Sequence, residues 1–431
     1  MDYHDVFTSC RTGDLEKIKY LVESRDVELN IRDKWDTTPL YYACLCGHEA
    51  LVKYLLENGA KCEANTFDGE RCLYAALNDK IKKLLKNYKM ITSSTMRRDL
   101  YDEFLRRLKG DKLYCDATFK VLGEKFCVHR CILASRCSTL LDKVEKRLEN
   151  KKTIIVKDLT VDPNSFKILI DYIYQGRCQV PYDSITTVDL LANQCGLPLL
   201  MQQLGKKAKE KKSFESSKPG VHVDVLSIDN DVDRESIKQD LAKLADQALP
   251  SETNALLMEM PFCPNIKPVY PDMCVMVQDF KFNCHKAFFC LRSDYFKALL
   301  EDHFNENVDD QIECIVLHDI SIEAFKCVLY YIYTDSCELV EDTVFEVLYK
   351  ADMYLLPGLK KYCAAFIADL IDEENVFQIF EMSRLFNLPK LEDQCTEFIA
   401  QTLSRWCCDQ SSKIWWYVMR VKWFLERIQI Q

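Results

Sequence analysis

Hydrophobic side chains recur at helical spacing along most of the chain, and strand-like runs are short. The apolar positions from Leu100 to Leu108 fall on one face of a helix. β-rich runs at residues 154–156 and 315–317 are each followed by helical periodicity. Glycine supplies only 11 of 431 residues, which disfavours a turn-rich all-β chain. At roughly 100–200 residues per domain, the pattern predicts about three domains in a mainly helical, multidomain α+β protein.

A first internal repeat near the N-terminus has a period of 33–34 residues. The run from Pro39 to Ala43 recurs in weakened form 33 residues later. Pro39 is placed to open one helix of the unit, and Gly59 is placed to end the next. The pattern resembles the ankyrin repeat. The resemblance implies an array over residues 1–89 that presents a concave face to a protein ligand, followed by a connecting helix over residues 90–110.

A second, longer repeat covers most of the remaining chain. In both copies an Asp precedes a His by 13 residues, at Asp116 and His129 and again at Asp272 and His285. A later run of nine residues that ends in Tyr-Ile-Tyr also recurs, at an offset of 159. Each copy is predicted to form a strand hairpin, a helix that begins at the His, a further β-rich run and then helices. The chain therefore contains two copies of one domain of roughly 100 residues.

The residues shared by the two copies resemble the BTB/POZ domain. They are an Asp that opens the hairpin, a Phe-x-x-His step followed by Arg or Lys, and the later Tyr-Ile-Tyr helix. The resemblance implies domains over residues 111–204 and 271–365. It also implies roles in folding or pairing for six residues: Asp116, His129, Arg130, Asp272, His285 and Lys286. Because BTB domains pair, the chain is expected either to form a homodimer or to pair its two copies internally.

Two further segments complete the chain. Residues 205–270 hold a lysine cluster at positions 206–212 and several prolines, which favours a flexible linker over a nuclear-import signal. A helix around Ile237–Leu249 is possible within this linker. Residues 366–431 contain a Leu-Pro helix motif that recurs after 32 residues, and this segment resembles a BACK-type helical extension. Its tryptophan-rich end is predicted to be an amphipathic terminal helix. Together the segments resemble the ankyrin repeat and BTB/POZ domain-containing protein family.

Composition narrows the chemistry. The 22 cysteines include no C-x-x-C pair, so buried, reduced thiols in the cytoplasm, or also the nucleus, are favoured over zinc or disulfides. The net charge of −10 is uneven: residues 271–431 carry −12 and residues 1–270 carry +2, and the acidic C-terminal part argues against a nucleic-acid partner. No apolar stretch is long enough to span a bilayer, and no phosphate loop or nucleophile motif occurs. The sequence predicts a protein that is not an enzyme, has no cofactor and binds neither nucleic acid nor membranes.

The family resemblance implies a function in protein assembly. Many BTB adaptors that bind cullin-3 carry a hydrophobic-x-acidic triplet, and Phe304-Asn305-Glu306 falls at that place in the second copy. The first copy has Asn150 where the acid would be, and Tyr354 is a further candidate contact for the cullin. The first hypothesis is a substrate adaptor of a cullin-3 ubiquitin ligase, with an unknown protein substrate on the ankyrin array. The alternatives are an exposed turn without function at the triplet, and a BTB-mediated scaffold or transcription-linked regulator without ubiquitin transfer.

Overall fold

The computed structural model describes most of the chain, in two compact units. The described residues are 2–23, 27, 29–35, 37–60, 62, 67–87, 100–110, 112, 114–137, 139–141, 153–156, 161–217, 225–228, 231–250, 269–302 and 313–408. One unit combines Met1–Asp99 with Ile367–Gln431, and the other is Leu100–Phe366.

Three helix pairs form the N-terminal part of the first unit. They are α1 (Asp2–Thr12), α2 (Leu15–Glu23), α3 (Pro39–Leu45), α4 (Glu49–Glu57), α5 (Phe67–Ala75) and α6 (Asp79–Asn87). Pro39 begins α3 as predicted, because a helix needs no N–H donor at its first turn. Gly59 follows α4 with a φ of 99°, a conformation that suits glycine. Apolar side chains such as Ile18, Leu55 and Ile81 join the pairs in one core.

The second unit opens with the first copy of the long repeat. Its elements are α7 (Leu100–Gly110), β1 (Ala117–Val121), β2 (Glu124–Val128), α8 (Arg130–Arg136), β3 (Thr153–Val156), α9 (Pro163–Gln175), β4 (Cys178–Pro181), α10 (Ile185–Cys195) and α11 (Pro198–Ser217). The sheet order is β2-β1-β3, with β2 antiparallel and β3 parallel to β1. Phe119 of β1 pairs with Phe126 and Ile154, and its side chain is buried against Phe166 of α9.

The second copy repeats this architecture. Its elements are β5 (Val225–Ile228), α12 (Asp231–Ala248), β6 (Met273–Val277), β7 (Phe280–Cys284), α13 (Lys286–Arg292), α14 (Asp294–Asp302), β8 (Glu313–Leu317), α15 (Ile322–Thr334), α16 (Glu341–Met353) and α17 (Pro357–Asp369). The sheet order β7-β6-β8 and its strand directions match those of the first copy. Cys274 of β6 and Cys314 of β8 lie side by side on the two parallel strands, with their Cα atoms 4.4 Å apart.

The prediction of a flexible linker over residues 205–270 is wrong for its described residues 205–217, 225–228 and 231–248, which form helices and a strand. Helix α11 continues to Ser217 and carries the lysine cluster, and β5 pairs antiparallel with β4. Helix α12 buries Ile237, Leu241 and Leu244 on one face. The possible helix around Ile237–Leu249 is thus present, although most other positions of α12 are polar, as in a solvated segment.

The C-terminal helices of the first unit are α18 (Val376–Leu385) and α19 (Pro389–Cys408), which pack against each other. Cys395 is fully buried in α19, as expected for a core thiol. The Tyr20 hydroxyl of α2 donates a hydrogen bond to the Asp393 carboxylate of α19. The predicted tryptophan-rich terminal helix lies almost wholly beyond residue 408, outside the described residues. Across the part of the chain that the structure describes, each helix is too short or too polar to cross a bilayer.

Candidate protein-binding surfaces

The predicted Asp residues hold the strand-to-helix junction in both copies. Oδ1 of Asp116 accepts a hydrogen bond of 2.8 Å from the backbone N–H of Arg130, at the start of α8. Oδ1 of Asp272 accepts one of 2.7 Å from the backbone N–H of Lys286, at the start of α13. Each carboxylate thereby satisfies a backbone donor that a helix N-terminus leaves open. The same geometry in both copies accounts for the recurrence of Asp at this position.

The predicted His residues are core residues with a fixed partner. The backbone N–H of His129 donates to the hydroxyl of Tyr174 over 2.8 Å, and Nδ1 of the ring lies 2.9 Å from the same oxygen. His285 makes the same two contacts with Tyr333, over 3.2 and 2.7 Å. Its Nε2 lies 2.8 Å from the carbonyl of Val269, which fits a neutral ring with its proton on Nε2. Burial lowers the pKa of His285, so the ring stays neutral near neutral pH.

The two junctions lie near each other in the folded chain. Burial raises the pKa of Asp116, and the negative charge of Asp272 raises it further. Burial likewise raises the pKa of Asp272. The Arg130 guanidinium lies 5.6 Å from the ring centre of Tyr270, which precedes the second copy. A residue of one copy therefore contacts the entry to the other, as pairing of the copies requires.

The two copies pair inside the chain by exchanging their leading helices. Helix α7, which precedes the first copy, packs on α9 of that copy and on α13 of the second. Helix α12, which precedes the second copy, packs on α15 of that copy and on α8 of the first. Because α8 matches α13 and α9 matches α15, the two sets of contacts are reciprocal. The internal pairing considered from the sequence is thus present within residues 100–366.

Aromatic and charged side chains attach α7 to the second copy. The Tyr101 hydroxyl donates to the carbonyl of Tyr333 over 2.8 Å. The Phe104 ring lies 5.6 Å from that of Phe288, between centres. The Arg292 guanidinium lies 5.3 Å from the ring centres of both Tyr101 and Phe104. These contacts hold α7 against the second copy.

Charged pairs attach α12 to the first copy. Nη1 of Arg136 lies 2.7 Å from Oδ2 of Asp240, and the Arg136 side chain is only 4% exposed. The Tyr172 hydroxyl donates to Asp233 over 2.8 Å. Gly176 ends α9 with a φ of 64°, and a β-carbon there would lie 3.0 Å from the Asp233 carbonyl oxygen and 2.9 Å from a methyl carbon of Ile237. The close approach of α12 therefore requires glycine at position 176.

The predicted cullin contacts have different outcomes. Phe304 and Glu306 lie between α14 and β8, outside the described residues. Tyr354 is fully buried, with its ring centre 5.1 Å from those of Tyr295 and Phe296. Burial also raises the pKa of Tyr354. The Tyr354 ring packs in the core between α14 and the end of α16, and its contact with a cullin stays a prediction.

The sequence analysis missed an exposed apolar stripe beside that core. Phe345, Tyr349 and Met353 are spaced four residues apart on α16 and are exposed, and the following Leu355 is exposed as well. Residues four apart share a helix face, so the spacing was visible in the sequence. It was overlooked because the same helix also has a second apolar face that is buried, including Val344 and Leu348.

The ankyrin part has its own exposed aromatic residues. Trp35 lies in the connection before α3 and is 59% exposed, and its backbone N–H donates to Asp33 over 2.9 Å. Tyr74 on α5 is 95% exposed. The Arg71 guanidinium lies 5.2 Å from the ring centre of Tyr41. Exposed aromatic side chains on a rigid helical array can bind a protein partner with little loss of side-chain entropy.

Comparison with known proteins agrees with this architecture. The model of ankyrin repeats in three copies matches residues 6–94, and the BTB/POZ domain model matches residues 105–212 and 265–371. The fold and the matches define a protein-interaction protein built from an ankyrin array and a tandem BTB pair. The chain belongs to the ankyrin repeat and BTB/POZ domain-containing proteins.

Two yeast proteins are similar over most of the chain. BTB/POZ domain-containing protein 3 of Schizosaccharomyces pombe is 28% identical over 361 residues, which cover 82% of this chain and 64% of the relative. Ankyrin repeat-containing protein YIL001W of Saccharomyces cerevisiae is 27% identical over 399 residues, covering 85% of this chain and 74% of the relative. Kelch-like protein 21 of Danio rerio is 29% identical over 101 residues, covering 23% of this chain and 16% of that protein. The chain thus spans less than two thirds of the first relative.

Proposed function

We propose that this protein is a substrate adaptor of a cullin-3 ubiquitin ligase. The second BTB copy binds the cullin, and the ankyrin array binds the substrate protein. The ligase supplies the catalysis, and the adaptor contributes proximity between the ubiquitin donor and the substrate. The ankyrin and BTB domains establish a protein-interaction role, and the proposal adds the identity of the cullin to it.

Internal pairing is the observation that carries this proposal. It uses α8 and α9 of the first copy and α13 and α15 of the second, together with α7 and α12. In sequence, the triplet Phe304-Asn305-Glu306 falls between α14 and β8, outside the helices that form the pairing. The first copy has Leu148-Glu149-Asn150 instead, without an acid in the third position. One internally paired chain therefore offers one complete triplet, and we expect it to bind one cullin.

The test is a pair of matched double substitutions in the full chain. Phe304→Ala with Glu306→Lys removes the apolar anchor and reverses the charge, and we expect cullin-3 binding to fall by at least about tenfold. Leu148→Ala with Asn150→Lys makes a comparable change in the first copy and should leave binding within about twofold. Binding is measured by interferometry with the purified N-terminal domain of cullin-3, after circular dichroism has confirmed folding. Equal binding by wild type and the Phe304/Glu306 variant would show that the triplet is not the contact.

A scaffold without ubiquitin transfer is the second candidate. It is favoured by the burial of Tyr354, which removes one predicted cullin contact from the surface. In that case the paired BTB unit would join other proteins without recruiting a ligase. Failure of the wild-type chain to bind cullin-3 in the same measurement supports this candidate and contradicts the first.

A further inference from the structure

Two cysteines of the second BTB copy hold their thiols against each other. Cys327 lies on α15, and Cys337 lies in the connection between α15 and α16. The Cys337 thiol donates a hydrogen bond to the sulfur of Cys327. The Cys327 thiol in turn donates to the carbonyl of Glu338 over 3.2 Å. The two sulfur atoms are therefore neighbours, and each has a fixed place in a short chain of hydrogen bonds.

This hydrogen bond gives the two thiols different characters. It lowers the pKa of Cys327, and its effect outweighs the burial of the thiol and the negative charges of Glu338 and Glu323. The same bond, together with burial, raises the pKa of Cys337. Because the thiolate is the reactive form of cysteine, Cys327 is the better nucleophile and Cys337 keeps its proton. Cys337 is partly exposed, so the pair lies at the surface of the second copy.

The first BTB copy lacks the pair. At the offset of 159, Cys327 corresponds to Ile168 and Cys337 corresponds to Cys178. Cys178 is buried and lies in β4, where it is paired with β5. Both copies have the same fold, so the fold does not require a second thiol at this place. The pair of neighbouring thiols is an addition that only the second copy carries.

The segment that carries Cys337 is also fixed on its other side. The Tyr362 hydroxyl of α17 donates to the carbonyl of Cys337 over 3.1 Å. A third thiol, Cys363, lies near the pair but is fully buried, and burial raises its pKa to about 12. A buried, protonated thiol is unreactive. The arrangement therefore confines thiol chemistry to Cys327 and Cys337.

We propose that Cys327 and Cys337 are an oxidation site at which hydrogen peroxide forms an intrachain disulfide. The Cys327 sulfur attacks one peroxide oxygen, the O–O bond breaks, and Cys327 becomes a sulfenic acid while the first water leaves. The Cys337 sulfur then attacks the Cys327 sulfur, the S–O bond breaks, and the second water leaves with the proton of the Cys337 thiol. The two thiols are oxidised by two electrons, which reduce the peroxide to water. The disulfide joins α15 to the segment before α16 and does not depend on cullin binding.

The first test uses the wild-type full chain. It is treated with hydrogen peroxide, its remaining thiols are blocked with iodoacetamide in urea, and it is digested with trypsin for mass spectrometry. The tryptic peptide 327–350 contains both cysteines and no other, and the peptide 362–384 contains Cys363 alone. We expect peptide 327–350 to lose both alkylation sites together, to be two hydrogen atoms lighter than the reduced peptide, and to recover on reduction.

The buried Cys363 is the internal control of this test. Peptide 327–350 should be oxidised at least about tenfold faster than peptide 362–384. Oxidation of both peptides at the same rate, or modification of only one cysteine of peptide 327–350, would overturn the proposal. Because this measurement needs no substitution, it decides the question even where a variant fails to fold.

The second test separates the roles of the two thiols. Cys337→Ser keeps a donor to the Cys327 sulfur but cannot form the disulfide, so Cys327 should stop at the sulfenic acid, which dimedone traps. Cys327→Ile installs the residue of the first copy, and Cys337 should then be oxidised at least about tenfold more slowly. Cys363→Leu installs the first copy's Leu204 and is the matched control, which should form the disulfide within about twofold of the wild-type rate. Equal trapping in the wild type and in Cys337→Ser, or rapid oxidation of Cys337 in Cys327→Ile, would contradict the proposal.

Discussion

The ion pair between Arg136 and Asp240 offers a sharp test of the exchange of helices between the two copies. Arg136 belongs to α8 of the first copy, and Asp240 belongs to α12, which packs on the second. Their side chains are only 4% and 19% exposed. Arg136 also donates from Nε to the carbonyl of Ile173 over 3.1 Å, so its guanidinium is held in place. The perturbation is a double-mutant cycle of Arg136→Met and Asp240→Leu.

The expected magnitude follows from burial. Asp240→Leu leaves the buried Arg136 guanidinium without a carboxylate, which costs about 3 kcal/mol of unfolding free energy. Arg136→Met should cost less, because Asp240 keeps its ion pair with Lys243 at 2.7 Å. Replacing both with apolar residues of similar size removes that penalty, so the double variant should lose no more than either single variant. The coupling energy, which is the sum of the two single losses minus the loss in the double variant, is then at least about 3 kcal/mol. Because the pair is shielded from solvent, the coupling should change little when salt is raised.

The assay is urea unfolding of the full chain, followed by far-UV circular dichroism. All five tryptophans lie outside residues 100–366, so tryptophan fluorescence would not report this unit. Hydrogen exchange of peptides from residues 231–248 assigns the transition. The exposed pair Lys19 and Glu16, at 39% and 83% exposure, is the control and should couple by less than about 0.5 kcal/mol. A coupling for Arg136 and Asp240 no larger than the control would refute the packing of α12 on the first copy.

Two further predictions concern the strand-to-helix junctions. Tyr174→Phe and Tyr333→Phe each leave the buried backbone N–H of a histidine without its acceptor, so each should lower the free energy of unfolding by about 1–3 kcal/mol. The control is Tyr362→Phe at a half-exposed position, which should lower it by less than about 0.5 kcal/mol in the same urea titration. Similar losses in all three would contradict the role given to the two buried tyrosines. The lowered pKa of His285 means that the unfolded chain binds a proton below about pH 6.5 while the folded chain does not, so stability should fall as pH drops, by at most about 1.4 kcal/mol per pH unit. The raised pKa values of Asp116 and Asp272 act in the opposite direction at lower pH. Thermal unfolding of the wild type and of His285→Gln is therefore measured at about pH 7 and about pH 5.5, and the variant should lose less stability between the two. An identical pH dependence in the variant would remove His285 as the cause.

The repeats made much of this fold predictable. The recurrence of Asp116 and Asp272 pointed to one structural role, and both residues hold the first turn of a helix. The Tyr-Ile-Tyr run predicted a helix in each copy. Its last tyrosine contacts the recurring histidine of the same copy: Tyr174 contacts His129, and Tyr333 contacts His285. Residues that recur at equivalent positions of two copies have equivalent surroundings, so the repeat predicts a contact wherever both copies form it.

The contacts between the copies could not be read in this way. Helix α12 buries Ile237 and Leu241 within a charged segment, and its partner on the first copy, Arg136, carries no signal of pairing in sequence. Gly176 is required only because α12 passes close to it, a constraint that exists only in three dimensions. The burial of Tyr354 likewise depends on its packing against Tyr295, which lies 59 residues earlier in the chain. Local patterns identify elements, whereas burial depends on what packs against them.

Sedimentation velocity of the full chain, alone and with the N-terminal domain of cullin-3, tests the central claim most directly. The claim is that the two BTB copies pair with each other within one chain and leave one cullin-binding surface, on the second copy. The account predicts a monomer that binds one cullin domain to form a 1:1 complex. A chain that sediments as a dimer, or a complex with two chains and two cullin domains, would contradict it.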